Sequence, residues 1–262
     1  MTGDTAFADL SELVARDRRS DRAALVDVAA GRERSYYDLC TTAYKAGNVL
    51  RYLGVRTTDR VAVEPRATPP ALLTFLGAAL LGAETEFTAD TDADARAVVA
   101  HADRESAFDL HGGSRLCVFG GEPSRSDTTH WETEVWSENP AFPPTDHDPD
   151  APVLRGGDDA VSYSHTDVLS AARDAADRLG LDADSRVALR APLSDPRAVA
   201  AGVVAPLLVG GAVVLLGDDR DDADEWTAAV VSEAASESAA GSAASTLSVA
   251  DVPLSSSQNP GE

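Results

Sequence analysis

Two stretches of this sequence carry the same signals in the same order. Ser35-Tyr36 opens a run that passes through Leu53-Gly54-Val55 to Arg60-Val61-Ala62-Val63. Ser162-Tyr163 opens another that passes through Leu179-Gly180-Leu181 to Arg186-Val187-Ala188-Leu189. Each then has a proline-bearing loop, an apolar segment (71–81 and 198–209), a glycine turn and a further strand-like stretch, at an offset of 126–129 positions throughout. An ordered set of matches marks a duplicated unit, so the chain must fold as two related halves.

Each copy reads as strand and helix in alternation. Leu39, Ala43, Ala46, Leu50 and Leu53 fall at spacings of four and three, which is one apolar stripe of an amphipathic helix. Leu169, Ala172, Ala176 and Leu179 repeat it. Ser35 with Asp38, and Ser164 with Asp167, have the spacing of a capping box, with Asp in place of the usual Glu. Gly54 and Gly180 stand where a left-handed helix end is wanted. Arg60–Val63 and Arg186–Leu189 are short strands, and the alternation predicts a layered α/β fold.

The chain divides accordingly into a first α/β subdomain (1–110), a Pro-rich acidic connector (111–152), a second α/β subdomain repeating the first (153–228) and an Ala/Ser-rich tail (229–262) that reads as partly disordered. Trp131 and Trp136, in the connector, are expected to pack against a subdomain. Positions 198–217 hold twenty residues without a charge, but Gly202, Pro206, Gly210 and Gly211 break the run, so it reads as helix, turn and buried strand rather than a membrane span. The first nineteen residues carry four acids and no long apolar stretch, unlike a signal peptide.

Charge narrows the function. Asp and Glu number 44 against 22 Lys and Arg, a formal net charge of -22. That excludes a sequence-independent grip on nucleic acid and disfavours an anionic membrane surface. Of the acids 30 are Asp, and Lys45 is the one lysine beside 21 arginines. Dense short carboxylates with few lysine stems fit a protein kept soluble in concentrated salt, where cations screen its self-repulsion, and the expected home is a halophilic cytoplasm.

Motifs for other chemistries do not assemble. Cys40 and Cys117 are too few for a disulfide framework or a structural zinc site and read as core residues. There is no G-x-x-x-x-G-K-[ST], and Gly210-Gly211 precedes a strand, the wrong order for a dinucleotide turn. His101, His111, His130, His147 and His165 lack metal-ligand spacing. No catalytic residue and no metal ligand is assigned.

The first copy resembles the N-terminal part of the adenylate-forming (AMP-binding) enzymes, which include acyl-CoA synthetases. The residues that carry the likeness are Ser35-Tyr36-Tyr37-Asp38-Leu39, the helix to Leu53-Gly54-Val55, Thr58-Asp59-Arg60-Val61-Ala62-Val63 and Leu80-Leu81-Gly82-Ala83. Asp146–Leu154 resembles the approach to the family's phosphate-binding loop, and Ser164-His165 with Val168-Leu169 resembles the segment just after it. The resemblance spans about residues 5–220 and implies the paired α/β subdomains of that family's N-terminal domain, with its C-terminal domain absent.

The departures fall on chemistry. The family's loop is of the type T-S-G-T-T-G-x-P-K-G, whose backbone amides, hydroxyls and lysine hold the ATP phosphates. Here the stretch is Leu154-Arg155-Gly156-Gly157-Asp158-Asp159-Ala160-Val161, shorter and with Asp159 where the lysine belongs. Gly156, Gly157, Ser164 and His165 are therefore the candidate nucleotide-contacting residues, as a remnant of that region; the two glycines by themselves read as a turn. Neither family lysine has a counterpart, nor do its magnesium-binding Glu and ribose-binding Asp. The resemblance with these losses implies a non-catalytic binding or regulatory relative with no cofactor, partnered by a protein such as an intact synthetase. ATP or AMP with Mg enters only if the family function survives. The alternatives are a subunit of a split acyl-CoA synthetase completed in trans, and a protein that holds a nucleotide or acyl group without reacting it.

Overall fold

The computed structural model describes residues 7–110, 112–143, 147–157, 159–216, 226–232 and 245–257. The first copy runs β1 (Ala23–Asp27), β2 (Arg32–Ser35), α1 (Tyr36–Tyr52), β3 (Arg60–Val63), α2 (Pro69–Leu81), β4 (Glu84–Phe87), β5 (Ala97–His101) and β6 (Arg115–Phe119). A short β7 (Thr129–His130) and α3 (Trp131–Ser137) follow. The second copy runs β8 (Pro152–Gly156), β9 (Val161–Ser164), α4 (His165–Leu179), β10 (Arg186–Arg190), α5 (Pro196–Val199), a π-helical turn (Ala200–Val204), α6 (Ala205–Val209), β11 (Ala212–Leu215), β12 (Ala228–Val231) and β13 (Ser245–Ser248).

Local chemistry sets the helix ends. Both capping boxes form: Ser35 Oγ accepts the Asp38 N–H, Ser164 Oγ accepts that of Asp167, and each Asp side chain returns to its serine's N–H. Gly180 closes α4 at φ +63° and Gly82 closes α2 at φ +67°, a left-handed turn in which a Cβ is costly. The uncharged run is α5, the π turn, α6, Gly210 and β11, and no helix among the described residues is long and apolar enough to cross a membrane.

The two sheets have the same strand order, element for element. One is β13-β12-β10-β11-β1-β2 and the other β7-β6-β5-β3-β4-β8-β9, so they differ by β7 alone. In this correspondence each copy lends its opening hairpin to the other. β1 of the first copy pairs in parallel with β11 of the second (Leu25 opposite Val213), while β8 of the second pairs in parallel with β4 of the first (Thr85 opposite Leu154). The sheets thus cut across the chain division at 110 and 152: each holds strands from both copies, and β6, β7 and α3 of the 111–152 segment build the first copy's sheet and its flank.

The helices lie between the two sheets in one continuous core, with Leu25, Val187, Leu189 and Val213 facing inward from one and Val61, Val63, Val99 and Leu154 from the other. Cys40 and Cys117 are both fully buried and free in it. Trp131 is buried, its Nε1–H donating to Thr74 Oγ1 at 3.0 Å. Trp136, against expectation, is 86% exposed. α3 is two turns long, so only Trp131 and Val135, four apart, reach the core and the next residue points out.

Of the tail, residues 233–244 and 258–262 lie outside the described residues. The part between is ordered against the fold. β13 pairs in parallel with β12, Ser256 Oγ donates to Ser162 O at 2.7 Å, and Ser257 Oγ donates to Asp167 Oδ2 at 3.1 Å.

Candidate functional site

In an open parallel sheet, the place to look is beyond the carboxyl ends of the strands, where loops from neighbouring strands meet. There the structure has a cleft of about 550 Å³. Pro65 follows β3, Glu86, Phe87 and Thr88 come from the end of β4, and Gly156 and Gly157 end β8; the far wall is Ser194–Arg197, where the chain leaves β10 for α5. Tyr163 of β9 completes it. Hairpin exchange is what brings wall residues of both copies to one cleft.

The four candidate residues do not converge there. Gly156 and Gly157 line the cleft, but for different reasons. A Cβ on Gly156 would stand 2.8 Å from Pro196 Cγ and 3.2 Å from Ser194 O, so this glycine lets α5 approach the sheet. Gly157 sits at φ +80° with open space around it, which is a turn residue. Ser164 is fully buried and spent on the capping box. His165 is fully buried too; its Nδ1 accepts the Leu10 N–H at 3.1 Å and its ring stacks on His147 with centroids 6.0 Å apart. Accepting at Nδ1 leaves the hydrogen on Nε2, which has no partner among the described residues, and burial pushes the imidazole pKa down to about 4. His165 thus ties α4 to the N-terminal segment, Ser164 caps that helix, and neither is among the cleft-lining residues.

The turn itself is the most informative feature. Strands β8 and β9 leave positions 157–160 between them, and β1 and β2 leave 28–31. In both, the fourth N–H returns to the first C=O: Ala160 to Gly157 at 3.0 Å and Gly31 to Val28 at 3.2 Å. The stretch that resembles a phosphate loop by position is therefore a hairpin turn of the same length and bonding as its structural counterpart. Asp158 lies outside the described residues. Asp159, which stands where the family's lysine belongs, is exposed and is not among the cleft-lining residues.

Two other acids hold that place, and sequence reasoning missed both. Asp195 caps α5: its Oδ1 accepts the Arg197 N–H at 2.9 Å, and its C=O takes the N–H groups of Ala198 and Val199. Pro196 has no N–H, so the first turn of α5 has no backbone donor left for an anion. Glu86 lies in the lining with its Oε2 3.9 Å from Arg60 Nε and 3.8 Å from Arg155 Nε. Arg155, the one nearby cation legible in sequence, is engaged: besides Glu86 it donates to Ser162 Oγ at 3.2 Å, and Ser162 donates to Glu84 at 2.5 Å. Arg197 remains as the cleft's own cation. Burial pushes the Tyr163 phenol up; the Arg197 charge opposes this and the Asp195 and Asp167 charges add to it.

Lys45 is on α1, donating from Nζ to Trp136 O at 3.3 Å, and does not line the cleft. His130, between Glu132 at 3.2 Å and Thr133 at 2.8 Å, belongs to the start of α3. Among the described residues no group of three or more His, Cys, Asp or Glu side chains is placed to hold a metal ion.

No family model matches the sequence, and no characterised protein matches it at the level of sequence. The fold, in contrast, is well represented among solved structures. A benzoate CoA ligase from Burkholderia xenovorans superposes with a TM-score of 0.72 at 20% identity, over 86% of this chain and 50% of that one. The anthranilate CoA ligase AuaEII, solved in complex with anthranoyl-AMP, gives 0.72 at 17% identity over 86% and 49%. The N-terminal domain of FACL13 from Mycobacterium tuberculosis gives 0.71 at 17% identity over 86% and 63%. The chain therefore has the fold of the N-terminal domain of adenylate-forming CoA ligases and spans about half the length of the ligases it matches.

Proposed function

We propose that this chain is a non-catalytic protein on the adenylate-forming ligase fold, one that binds or modulates a protein partner such as an intact synthetase. The observation that carries the reading is the turn at 157–160, matched in length and bonding by the turn at 28–31. A loop that wraps a polyphosphate needs several free backbone N–H groups and a cation. The facing helix start has spent its donors on Asp195, Arg155 is taken up by Glu86 and Ser162, and Asp195 stands beside Arg197 in the lining. Like charges brought together in a partly desolvated cleft cost more than they do in open water. These features lie within the chain, so a subunit supplying other motifs in trans would leave them in place. The acid-rich composition suits work in a salt-rich cytoplasm.

The test is ATP–pyrophosphate exchange by the purified chain in concentrated KCl, across a panel of carboxylic acids, with calorimetric titration of ATP and Mg alongside. No exchange and a flat titration are expected. Exchange above that of a chain lacking residues 152–164 would overturn the reading, and heat without exchange would move it to a nucleotide holder.

A further inference from the structure

The N-terminal segment 7–19 joins no sheet, yet part of it is as buried as the core. Leu10, Leu13 and Val14 are fully covered, on a 3-10 turn (Leu10–Val14) that lies against α1 and α2 of the first copy. Backbone bonding does little to hold it there. The N–H groups of Ala8, Ser11, Ala15, Arg18 and Arg19 all bond within the segment. Among the described residues one N–H of the segment reaches outside it: Leu10 donates to His165 Nδ1 at 3.1 Å, on the first residue of α4 in the second copy. Side chains also reach across, Arg173 donating to Phe7 O at 2.9 Å and Arg18 to Leu207 O. Guanidiniums and carbonyls do not change state in mild acid, whereas an imidazole does.

The His165 ring accepts from Leu10 only while it is neutral. Once protonated it is a donor at both nitrogens, and two N–H groups would face each other in a site closed to water. The charged and titratable groups around it are Asp9 of the segment, and His147 and Asp148 of the connector. His147 stacks on the ring. Asp9 Oδ1 is engaged by the Ser11 N–H at 2.7 Å and Asp148 Oδ1 by the Asp150 N–H at 3.0 Å. On α4 itself, Asp167 is turned back to the Ser164 N–H. The two nearby carboxylates thus attract a charged ring, but neither replaces the bond to Leu10.

We infer that segment 7–19 is a strap across the two copies, latched by His165, and that a proton on the imidazole lets it swing off α4 while both sheets stay folded. The opening is local because neither sheet contains a strand from the segment, so its release breaks no ladder. It uncovers the apolar flanks of α1 and α2 beneath Leu10, Leu13 and Val14. The sign follows from linkage. A released ring titrates at its ordinary 6.5 and the latched one near 4, so the open form binds the extra proton and gains population as the pH falls between these values. The device goes beyond the function proposed above and does not depend on it.

Residue-resolved hydrogen exchange by NMR, on the full chain in concentrated KCl, tests it. The Leu10 and Ala15 amides exchange through an opening that low urea does not promote, whereas the β10 amides exchange through the urea-dependent unfolding of the whole. From pH 6.5 to 5, corrected for the intrinsic exchange rate, protection at Leu10 and Ala15 falls about 10-fold. His165→Asn puts an amide oxygen in the place of Nδ1 and takes up no proton, so protection at the two amides becomes equal at both pH values. His130→Asn, at the start of α3, behaves as the parent. Protection at Leu10 that ignores pH in the parent, exchange of Leu10 only together with β10, or an undiminished pH effect in His165→Asn would each overturn the proposal. If His165→Asn does not fold, the first two measurements decide the matter in the parent chain.

Discussion

The two halves of this molecule share a strand order and a set of caps, yet they close their helix layers differently. In the first half α1 crosses α2 backbone to backbone: a Cβ on Gly77 would stand 2.7 Å from Gly47 N and 3.2 Å from Ala43 O. In the second, α4 meets a helix broken by a π turn and by Pro206, whose Gly202 faces the sheet: a Cβ there would stand 2.6 Å from Leu189 Cδ1 of β10 and 3.6 Å from Val230 Cβ of β12. One close approach is to main chain, which cannot yield; the other is to the end of a leucine side chain, which can. Equivalent helices of a duplicated fold therefore tolerate an added methyl group unevenly at these two glycines.

The largest effect follows from that contrast. Gly77→Ala and Gly202→Ala gain the same helix propensity, about 1 kcal/mol. The first must also push two helices apart, an overpacking cost of about 3 kcal/mol, whereas the second asks Leu189 for a new rotamer at about 1 kcal/mol. Urea unfolding in concentrated KCl should show Gly77→Ala about 2 kcal/mol less stable and Gly202→Ala near the parent. Equal losses would break the comparison.

A second difference sits at the first residue of the paired helices, Tyr36 of α1 and His165 of α4. Each is buried and tied to a distant segment. The Tyr36 hydroxyl donates to Gly211 O at 2.8 Å, and burial pushes its pKa up to about 12, beyond any acid titration. His165 is held neutral, its pKa lowered from 6.5 to about 4 mainly by burial, with the nearby His147 adding to the shift and the Asp9 and Asp148 carboxylates opposing it. The unfolded chain then binds more protons than the folded one between these values, so stability is complete above about pH 6.5 and falls as the pH drops toward 4. From pH 6.5 to 5 the loss should be about 2 kcal/mol. His165→Gln, whose amide oxygen can accept the Leu10 N–H, should flatten that slope, and Tyr36→Phe should leave it unchanged. An unaltered slope in the His165 variant would show that other groups set it.

The same pairing explains what the sequence disclosed. Caps, stripes and helix-ending glycines act over three to five residues, so Ser35 with Asp38 and Ser164 with Asp167 were legible without any knowledge of the fold. The exchange of hairpins was not, because β1 and β11 are joined across nearly the whole chain and no local period records a partner. The cleft was half legible for that reason. Gly156 and Gly157 stood in the expected stretch, whereas Glu86 and Asp195 come from different copies and meet only once the hairpins have crossed. β13 was missed because Ser245–Ser248 offers one buried side chain, Leu247, and the rest of its stabilisation is the ladder to β12.

The smallest effect concerns two equivalent arginines at the first residue of the central strands. Arg60 of β3 meets Glu84 at 3.3 Å, and that carboxylate keeps only 10% of its side-chain exposure. Arg186 of β10 meets Glu33 at 2.6 Å, but there the carboxylate is 53% exposed. The shorter contact is the weaker one in stability, because water and salt screen it and the glutamate loses little when released. Around Glu84 the surroundings are dry, and removing Arg60 leaves the acid with only the Ser162 hydroxyl and the more distant Arg155. Arg60→Gln should cost about 1–2 kcal/mol in concentrated KCl, and Arg186→Gln less than about 0.5. Lowering the salt should widen the Arg186→Gln loss and barely move the other, since only the exposed pair gains from weaker screening. If the two variants respond to salt alike, burial does not separate the halves at this position.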